Sequence, residues 1–208
     1  MDQPIRILVI DDHPLMRDGI ALLLNQQPDM RVVGEAGDGA EALVQFRALR
    51  PDVILVDLQM PNMDGHEFAR SVHAEDPTAK MIMLTTFRGD MHVFHAFAAG
   101  VSGYMLKDMM RKDLVNMVRD VFSGRRVLST EIAGDVMSHL SGQRLSEREV
   151  EILRLVALGN SNKAVGKILT LGEATVKTHM RSIMSKLDAN DRTHAVTIAL
   201  KRGIITID

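Results

Sequence analysis

The stretch of sequence that decides the fold is DVILVDLQMPNMDG, residues 52–65. Its first part, Asp52–Asp57, is an almost unbroken apolar run, and its second part carries the proline and glycine that interrupt regular structure. A strand that is apolar at successive positions, rather than at alternating ones, is typical of a parallel sheet covered on both faces. The stretch therefore predicts a buried strand that ends at a carboxylate, Asp57.

The same rhythm is found on either side of this strand. Four more short apolar runs occur, at Ile5–Ile10, Arg31–Ala36, Met81–Thr86 and Gly103–Leu106. Each of the five runs is followed by a segment with helical spacing, and these segments begin near Pro14, Gly39, Asp64, Asp90 and Arg111. Such segments are long enough for the right-handed helical crossovers that join parallel strands. We therefore predict an α/β domain, with a five-stranded doubly wound parallel sheet, that ends near Gly124.

Ionisable and hydroxyl residues gather where these strands end, at Asp11, Asp12, Asp57, Thr85 and Lys107. In a doubly wound sheet, functional groups meet outside the carboxyl ends of the strands. Three carboxylates at one edge repel each other unless a cation lies among them, and a hard, oxygen-seeking ion such as Mg²⁺ suits them. With Lys107 to hold an anion and Thr85 to donate a hydrogen bond, the set predicts phosphoryl transfer to a carboxylate.

Each of these residues also has an ordinary structural interpretation. Asp12 could cap a helix whose first turn contains Pro14, and Lys107 could be a solvated lysine. Convergence of the whole set on one sheet edge favours the functional interpretation. A competing pattern is Gly37-Asp38-Gly39-Ala40-Glu41-Ala42, which imitates the G-x-G-x-x-A fingerprint of dinucleotide-binding proteins. It follows the second strand rather than the first, however, and it gives the strand-end carboxylates no role.

Residues 5–124 resemble the receiver domain of two-component signalling. The resemblance rests on Asp11-Asp12, on DLQMPNMDG at 57–65, on Leu84-Thr85 and on GYMLKD at 103–108. Asp108 stands where many receivers have proline, which does not affect the chemistry.

The receiver resemblance implies a role for each residue of the set. Asp57 would accept a phosphoryl group from a histidine kinase. Asp12, Asp57 and the main-chain carbonyl of Gln59 would hold Mg²⁺, and Asp11 would orient a water molecule on the ion. Lys107 would pair with the phosphoryl group, while Thr85 and Tyr104 would form the switch that responds to it.

The composition suggests two domains in one cytoplasmic protein. The 208 residues contain no cysteine, no signal-peptide pattern and no apolar run near the roughly 18 residues that a membrane span needs. Residues 1–143 have 14 Lys/Arg against 20 Asp/Glu, whereas residues 144–208 have 11 against 7. An acidic first part and a basic last part indicate that the second domain can meet a polyanion.

From Leu145 onwards the apolar spacing is purely helical. Ser146 and Glu149 have the spacing of a capping box, and further helices are predicted at Asn162–Leu169, from Glu173 to about Leu187, and from Arg192 to Arg202. On the third of these four helices one side is apolar, with Val176, Met180, Ile183, Met184 and Leu187. The opposite side has only basic and hydroxyl residues, namely Lys177, Thr178, Arg181, Ser182 and Ser185. Such a face suits the major groove of DNA, although on a lone helix it is more often a solvated face.

Residues 144–205 resemble the LuxR-type helix-turn-helix of NarL/FixJ-type regulators. The matching residues are Leu145-Ser-Glu-Arg-Glu149, Gly159, Asn162-Lys163, Thr175-Val176-Lys177-x-His179, Lys186-Leu187, Arg192-Thr193 and Ala195. This resemblance and the basic face together predict that the DNA-binding residues are Lys163, Thr175, Lys177, Thr178, His179, Arg181, Ser182 and Ser185. His179 flanks the face and could equally be a packed helix histidine. Two glycines depart from the pattern: Gly172 replaces a serine N-cap, and Gly166 replaces an alanine and is expected to loosen its helix by roughly 1 kcal/mol.

These observations predict a response regulator rather than an enzyme. We expect a receiver domain at 1–125, a linker at 126–143 with a short helix around Glu131–Leu140, and a four-helix helix-turn-helix domain at 144–208. Phosphorylation of Asp57 by a sensor histidine kinase would favour a homodimer and control the binding of promoter DNA. Two alternatives are a Mg²⁺-dependent aspartyl-phosphate phosphatase and a nucleotide-binding protein. The phosphatase is disfavoured because such enzymes carry D-x-D after the first strand, where this chain has Asp11-Asp12.

Overall fold

The computed structural model describes residues 3–86, 89–129, 132–133 and 144–205. These residues form two compact units, an α/β unit and a helical unit. The α/β unit alternates strands and helices: β1 (Ile5–Ile10), α1 (Pro14–Asn25), β2 (Met30–Ala36), α2 (Gly39–Leu49), β3 (Val53–Asp57), α3 (Gly65–Glu75), β4 (Met81–Thr85), α4 (Asp90–Ala98), β5 (Gly103–Leu106), a 3₁₀ turn (Lys107–Met109), α5 (Met110–Phe122) and β6 (Val127–Leu128). The five predicted strands are all present, each within one residue of its predicted ends.

The six strands form one parallel sheet in the order β2-β1-β3-β4-β5-β6. Strand β3 is central and pairs with β1 and β4, with Ile10 beside Val56 and Asp57 beside Leu84. The sixth strand, Val127–Leu128, pairs with β5 through Gly103 and Tyr104. The predicted count of five strands misses it because two residues are too few to show a periodicity.

Helices cover both faces of the sheet, as the continuous apolar strands predict. On one face Val9, Leu55 and Leu84 pack against Leu24 of α1 and Leu114 of α5. Alternate residues of the same strands point to the other face and are equally buried; they include Leu8, Ile54 and Met83. Burial of each large aliphatic side chain stabilises the fold by roughly 2 kcal/mol. The sheet is therefore a firm base for the side chains at its carboxyl edge.

The helical unit contains four helices: α6 (Glu147–Ala157), α7 (Asn162–Ile168), α8 (Glu173–Lys186) and α9 (Arg192–Lys201). Their shared core includes Ile152 and Leu153 of α6, Val165 of α7, and Val176, Met180 and Ile183 of α8. The apolar side predicted for α8 is thus the side that packs into the unit. Gly203 follows α9 with a φ of 70°, a left-handed conformation that glycine adopts without strain after a helix.

The segment predicted as a linker, 126–143, is only partly described. Its first residues belong to the sheet, because β6 lies within it and the Ser129 N–H donates to the Tyr104 carbonyl at 3.2 Å. Of the helix predicted around Glu131–Leu140, Ile132 and Ala133 are described and are helical, and the rest lies outside the described residues. No described helix is long and apolar enough to cross a membrane.

Candidate functional site

Strand register brings the predicted residues together at the carboxyl edge of the sheet. Asp11 follows β1, whose last residue Ile10 lies beside Val56, so Asp11 and Asp57 leave neighbouring strands side by side. Thr85 ends β4, and Lys107 follows β5. Asp11, Asp57 and Thr85 are almost fully buried, so the sheet brings charged and polar groups into a poorly solvated edge.

Lys107 is ion-paired to two carboxylates at once. Its Nζ lies 2.7 Å from Oδ2 of Asp11 and 2.8 Å from Oδ2 of Asp57. Burial raises the pKa of the Asp57 carboxyl above its usual range, an effect that Lys107 and the Gln59 N–H oppose and Asp11 reinforces. Burial alone would lower the pKa of Lys107, but Asp11 and Asp57 together hold it above its ordinary value. The site therefore holds one cation between two buried carboxylates.

The loop after Asp57 folds back tightly against the end of β3. The N–H of Gly65 donates to the Leu58 carbonyl at 2.9 Å, and Asn62 has a positive φ of 66°. A β-carbon at residue 65 would lie 2.3 Å from the Asp57 carbonyl oxygen, so only glycine fits without a shift of the backbone. The loop thus keeps Gln59 beside the Asp57 carboxylate, where its N–H forms a hydrogen bond.

The cluster has the donor set for a divalent cation. One ligand atom from each of Asp11, Asp12, His13 and Asp57 lies within 4.8 Å of the others. His13 was missed by the sequence analysis, although its position next to Asp11-Asp12 is a signal that could have found it. The ring Nδ1 of His13 lies 2.6 Å from Oδ1 of Asp12, and the main-chain N–H of His13 donates to Oδ1 of Asp11 at 2.9 Å. Several carboxylate oxygens around one point are what a hard cation such as Mg²⁺ requires.

The two predicted switch residues are both inside the protein. Tyr104 is fully buried on β5, and Thr85 is buried at the end of neighbouring β4. Burial raises the pKa of the Tyr104 phenol, and the Thr85 hydroxyl opposes this effect. The phenol ring of Tyr104 therefore lies inward in this structure, beside the strand that carries Thr85.

The structural alternatives weighed for the acidic residues do not account for them. The N-cap of α1 is His13 rather than Asp12, and it makes no side-chain capping bond.

At the N-terminus of α2, two carboxylates of the chain itself accept the main-chain hydrogen bonds. Asp38 accepts from the Glu41 N–H, and Glu41 accepts from the Gly37 N–H. Two carboxylates at this helix end repel a phosphate, so the geometry disfavours the nucleotide-binding alternative.

In the helical unit, most of the residues predicted to bind DNA lie on an exposed surface. On α8, Thr175, Lys177, Thr178, Arg181 and Ser185 are exposed and His179 is half-buried, while Lys163 of α7 is exposed. Lys177 forms an ion pair with Glu173 one turn earlier, with Nζ 3.1 Å from Oε1. The basic side of α8 is therefore bordered by a carboxylate at its first turn, which the sequence analysis did not foresee.

Ser182 does not belong to that exposed surface. Its hydroxyl donates to Oε1 of Glu149 at 2.7 Å, and the residue is half-buried. A buried carboxylate of α6 therefore attracts the Ser182 hydroxyl into the unit, and a contact of Ser182 with DNA stays a prediction.

The two glycines that depart from the LuxR-type pattern have different settings. Gly172 is the N-cap of α8 and forms no side-chain capping bond, as expected. Gly166 is buried, and a β-carbon there would lie 2.6 Å from the Leu171 carbonyl oxygen. The glycine therefore lets the turn between α7 and α8 pass close to α7. The sequence predicted only a less stable helix at Gly166 and not this close approach.

Two family models match the chain. The model described as "Response regulator receiver domain" matches residues 7–119, and the model described as "Bacterial regulatory proteins, luxR family" matches residues 143–199. The first match contains the whole strand-end cluster, and the second contains α8.

Curated relatives are similar to the chain over nearly their full length. The transcriptional regulatory protein LiaR of Bacillus subtilis (strain 168) is 41% identical over 209 residues, which cover 97% of this chain and 99% of LiaR. The response regulator protein VraR of Staphylococcus aureus (strain NCTC 8325 / PS 47) is 39% identical over 206 residues, with 97% and 99% covered.

Solved structures agree with this relationship. The response regulator ChrA of a heme-sensing two-component system has a TM-score of 0.58 at 37% identity, with 98% of this chain and 100% of that chain covered. A structure of RcsB dimers bound to DNA has a TM-score of 0.78 with 96% of this chain and 99% of that chain covered, and at 24% identity it shows a shared fold. The chain belongs to the two-component response regulators, in which a receiver domain is joined to a LuxR-type DNA-binding domain.

Proposed function

We propose that Asp57 accepts a phosphoryl group from a sensor histidine kinase and that this modification controls dimerisation and sequence-specific binding of promoter DNA. The observation that carries the proposal is the buried Asp57 carboxylate, paired with Lys107 at the edge where four strands deliver Asp11, Asp57, Thr85 and Lys107. An oxygen of Asp57 forms the bond to phosphorus as the bond to the donor breaks. In this role the protein catalyses only its own phosphorylation and dephosphorylation.

The residues around Asp57 supply positioning and charge compensation. Asp12, Asp57 and the main-chain carbonyl of Gln59 would hold Mg²⁺, with Asp11 orienting its water. The ion would neutralise charge on the phosphoryl oxygens, a contribution on which such transfer depends. Lys107 is held by Asp11 and Asp57 before the reaction and can turn to the phosphoryl group afterwards.

The signal would pass from Asp57 to Thr85 and Tyr104. Thr85 ends the strand next to β3, so its hydroxyl can move toward a phosphoryl group on Asp57. Any movement of Thr85 alters the surroundings of the Tyr104 phenol, which is buried beside it. We infer that this pair transmits the change at the modified carboxylate to the part of the receiver domain around β4 and β5.

The output would be DNA binding through α8. Lys177 and Arg181 lie one turn apart on its exposed side, and the first turns of a second helix are where helix-turn-helix proteins place their base contacts. Lys163 of α7 lies on the supporting helix, where a phosphate contact fits better. The RcsB structures of similar fold contain dimers on DNA, which supports a homodimer here. A protein that binds promoter DNA acts in the cytoplasm.

The domain boundary is proposed to fall after Ala133 rather than at residue 125. Val127–Leu128 is part of the receiver sheet, and the Ala133 N–H donates to the Ser129 carbonyl at 2.9 Å. Residues from 144 onward would then form the DNA-binding domain.

The test of this function is the intact mass of the full chain after incubation with acetyl phosphate and Mg²⁺. Wild type should gain one phosphoryl group, and Asp57→Asn should gain none. Chelation of Mg²⁺ should suppress the labelling of wild type. Equal labelling of both proteins would overturn the assignment of Asp57.

A further inference from the structure

Among the described residues of the helical unit, Glu149 at the start of α6 is the one buried carboxylate. Its side chain is 4% exposed, yet it is an anion that meets three hydrogen-bond donors. Oε2 accepts from the Ser146 N–H and from Nζ of Lys186, each at 2.7 Å, and Oε1 accepts from the Ser182 hydroxyl at 2.7 Å. An isolated buried charge is unfavourable, so this arrangement requires that all three donors keep their places.

Two of the three donors are on α8, the helix that carries Lys177 and Arg181. Ser182 and Lys186 are four residues apart and therefore lie on one line along this helix. At 3.6 residues per turn, that line is roughly 140° around α8 from the line of Lys177 and Arg181. The arc of 140° between the two lines is the exposed side with Thr178 and Ser185. The buried apolar side, with Val176, Met180 and Ile183, occupies the longer arc between the same two lines.

Apolar packing alone leaves the rotation of a helix poorly specified. The hydrophobic effect is non-directional, so small rotations of α8 about its axis retain much of the contact between its apolar side and the core. Hydrogen bonds and ion pairs depend strongly on distance and angle. The Glu149 carboxylate therefore provides a directional contact at one border of the apolar side, and the basic line lies beyond the other border.

The helix next to α8 is tied to the same part of α6. Arg148, the neighbour of Glu149, donates from Nη2 to the Leu169 carbonyl at the end of α7, at 2.7 Å. Adjacent residues of α6 thus hold the end of the supporting helix and the C-terminal half of α8. The burial of Glu149 raises the pKa of its carboxyl, but Lys186, the Ser146 N–H and the Ser182 hydroxyl lower it to about 2. These three groups therefore favour the ionised form of the Glu149 carboxyl.

We propose that Glu149 is a positioning residue for DNA recognition: through Ser182 and Lys186 it fixes the rotation of α8 and so directs Lys177 and Arg181 toward the base edges. This inference rests on the proposed DNA-binding role of α8. It assigns to Ser182 an indirect part in recognition, through Glu149 instead of through a contact with DNA.

Positioning and plain stabilisation have different effects on DNA binding. A destabilised domain loses affinity for all duplexes in proportion to its folded fraction. A rotated α8 loses base contacts, which depend on direction, but it keeps most contacts to phosphates, which tolerate displacement. The ratio of affinities for a specific and a scrambled duplex separates the two effects.

The experiment uses the full chain and a duplex selected from random DNA by the wild-type protein. Affinities for this duplex and for a scrambled duplex of equal length and composition are measured for wild type, Glu149→Gln, Ser182→Ala and Glu151→Gln. Glu151→Gln is the matched control, because Glu151 is an exposed carboxylate of the same helix and its ion pair with Arg148 lies within α6. Circular dichroism verifies that each variant is folded at the temperature of the assay.

We expect Glu149→Gln to lower the ratio of specific to scrambled affinity at least tenfold and Ser182→Ala to lower it about threefold, with Glu151→Gln unchanged. If Glu149→Gln does not fold, the Ser182→Ala result decides alone. An unchanged ratio in the folded variants, or equal losses on both duplexes, overturns the positioning role. Failure of the wild-type protein to select any sequence would instead contradict the proposed DNA-binding function itself.

Discussion

The Nζ atom of Lys107 lies 2.8 Å from Oδ2 of Asp57, although the two residues are 50 positions apart and come from strands separated by β4. The pairing opposes the rise that burial causes in the pKa of the Asp57 carboxyl, and it leaves a cation where a phosphoryl group would arrive. If a divalent ion binds at this edge, as we propose, Lys107 would compete with it for the same carboxylate oxygens.

Lys107→Met should therefore bind Mg²⁺ more tightly than wild type. Removal of one positive charge from beside Asp11 and Asp57 increases the negative potential of the site, and at these distances we expect a gain of roughly tenfold or more. Isothermal titration of the full chain with Mg²⁺ measures it. Lys112→Met, at an exposed position of α5, is the control and should bind like wild type. Weaker binding by Lys107→Met would mean that Lys107 supports the metal site instead of competing with it.

Lys177→Ala should lower affinity for a selected duplex more than affinity for a scrambled one. The residue is exposed near the start of α8, and a directed contact to a base is worth about 1–3 kcal/mol per half-site. Because Lys177 pairs with Glu173 at 3.1 Å, Glu173→Gln is a useful companion and should strengthen binding to both duplexes. An unchanged specificity ratio for Lys177→Ala would show that the basic side of α8 does not read bases.

Lys163→Ala should weaken binding to both duplexes alike. The side chain is exposed on α7, where a contact to a phosphate carries no sequence information. Loss of one such contact should reduce the slope of log affinity against log salt by about one unit. Binding measured across a salt series detects the change, and a fall confined to the selected duplex would assign Lys163 to base recognition.

Because of Glu149, the free energy of unfolding of the helical unit should decrease at acid pH. Its pKa is about 2 in the folded chain against an ordinary value of 4.5, so its contribution is complete above about pH 4.5 and is lost as the pH falls toward 2. Unfolding free energies from hydrogen exchange of α6 and α8 amides should fall by on the order of 3 kcal/mol more in wild type than in Glu149→Gln over this range. Parallel curves for the two proteins would contradict the ionic network, and Glu151→Gln should follow wild type.

Much of the fold and the site can be predicted from the sequence because the signals are local. Continuous apolar runs identify the five longer strands. The residues at their ends, Asp11, Asp57, Thr85 and Lys107, identify the edge at which we propose that phosphoryl transfer occurs. The capping box of Ser146 and Glu149 is visible for the same reason. The contacts of Glu149 with Ser182 and Lys186 cannot be predicted in this way, because no local pattern indicates that a helix-capping glutamate also contacts residues more than 30 positions away.

The contribution of His13 to the acidic cluster depends on the course of the chain after β1. Periodicity does not record whether a side chain at a helix N-cap turns toward the sheet edge or toward solvent. The sixth strand is also undetectable by pattern, since Val127–Leu128 becomes a strand only through its pairing with β5.

Beryllofluoride mimics a phosphoryl group on aspartate and is the most direct probe of whether the state of Asp57 controls DNA binding by the other domain. Sedimentation and affinity for the selected duplex are measured with and without beryllofluoride and Mg²⁺, for wild type and Asp57→Asn. Wild type should shift toward a dimer and bind the duplex more tightly, because a dimer reads two half-sites, while Asp57→Asn should change in neither respect. Linkage requires the reverse as well, so the duplex should increase beryllofluoride binding by the same factor. If beryllofluoride changes neither the sedimenting mass nor the DNA affinity of the wild-type protein, or if Asp57→Asn responds as wild type does, then Asp57 does not control DNA binding.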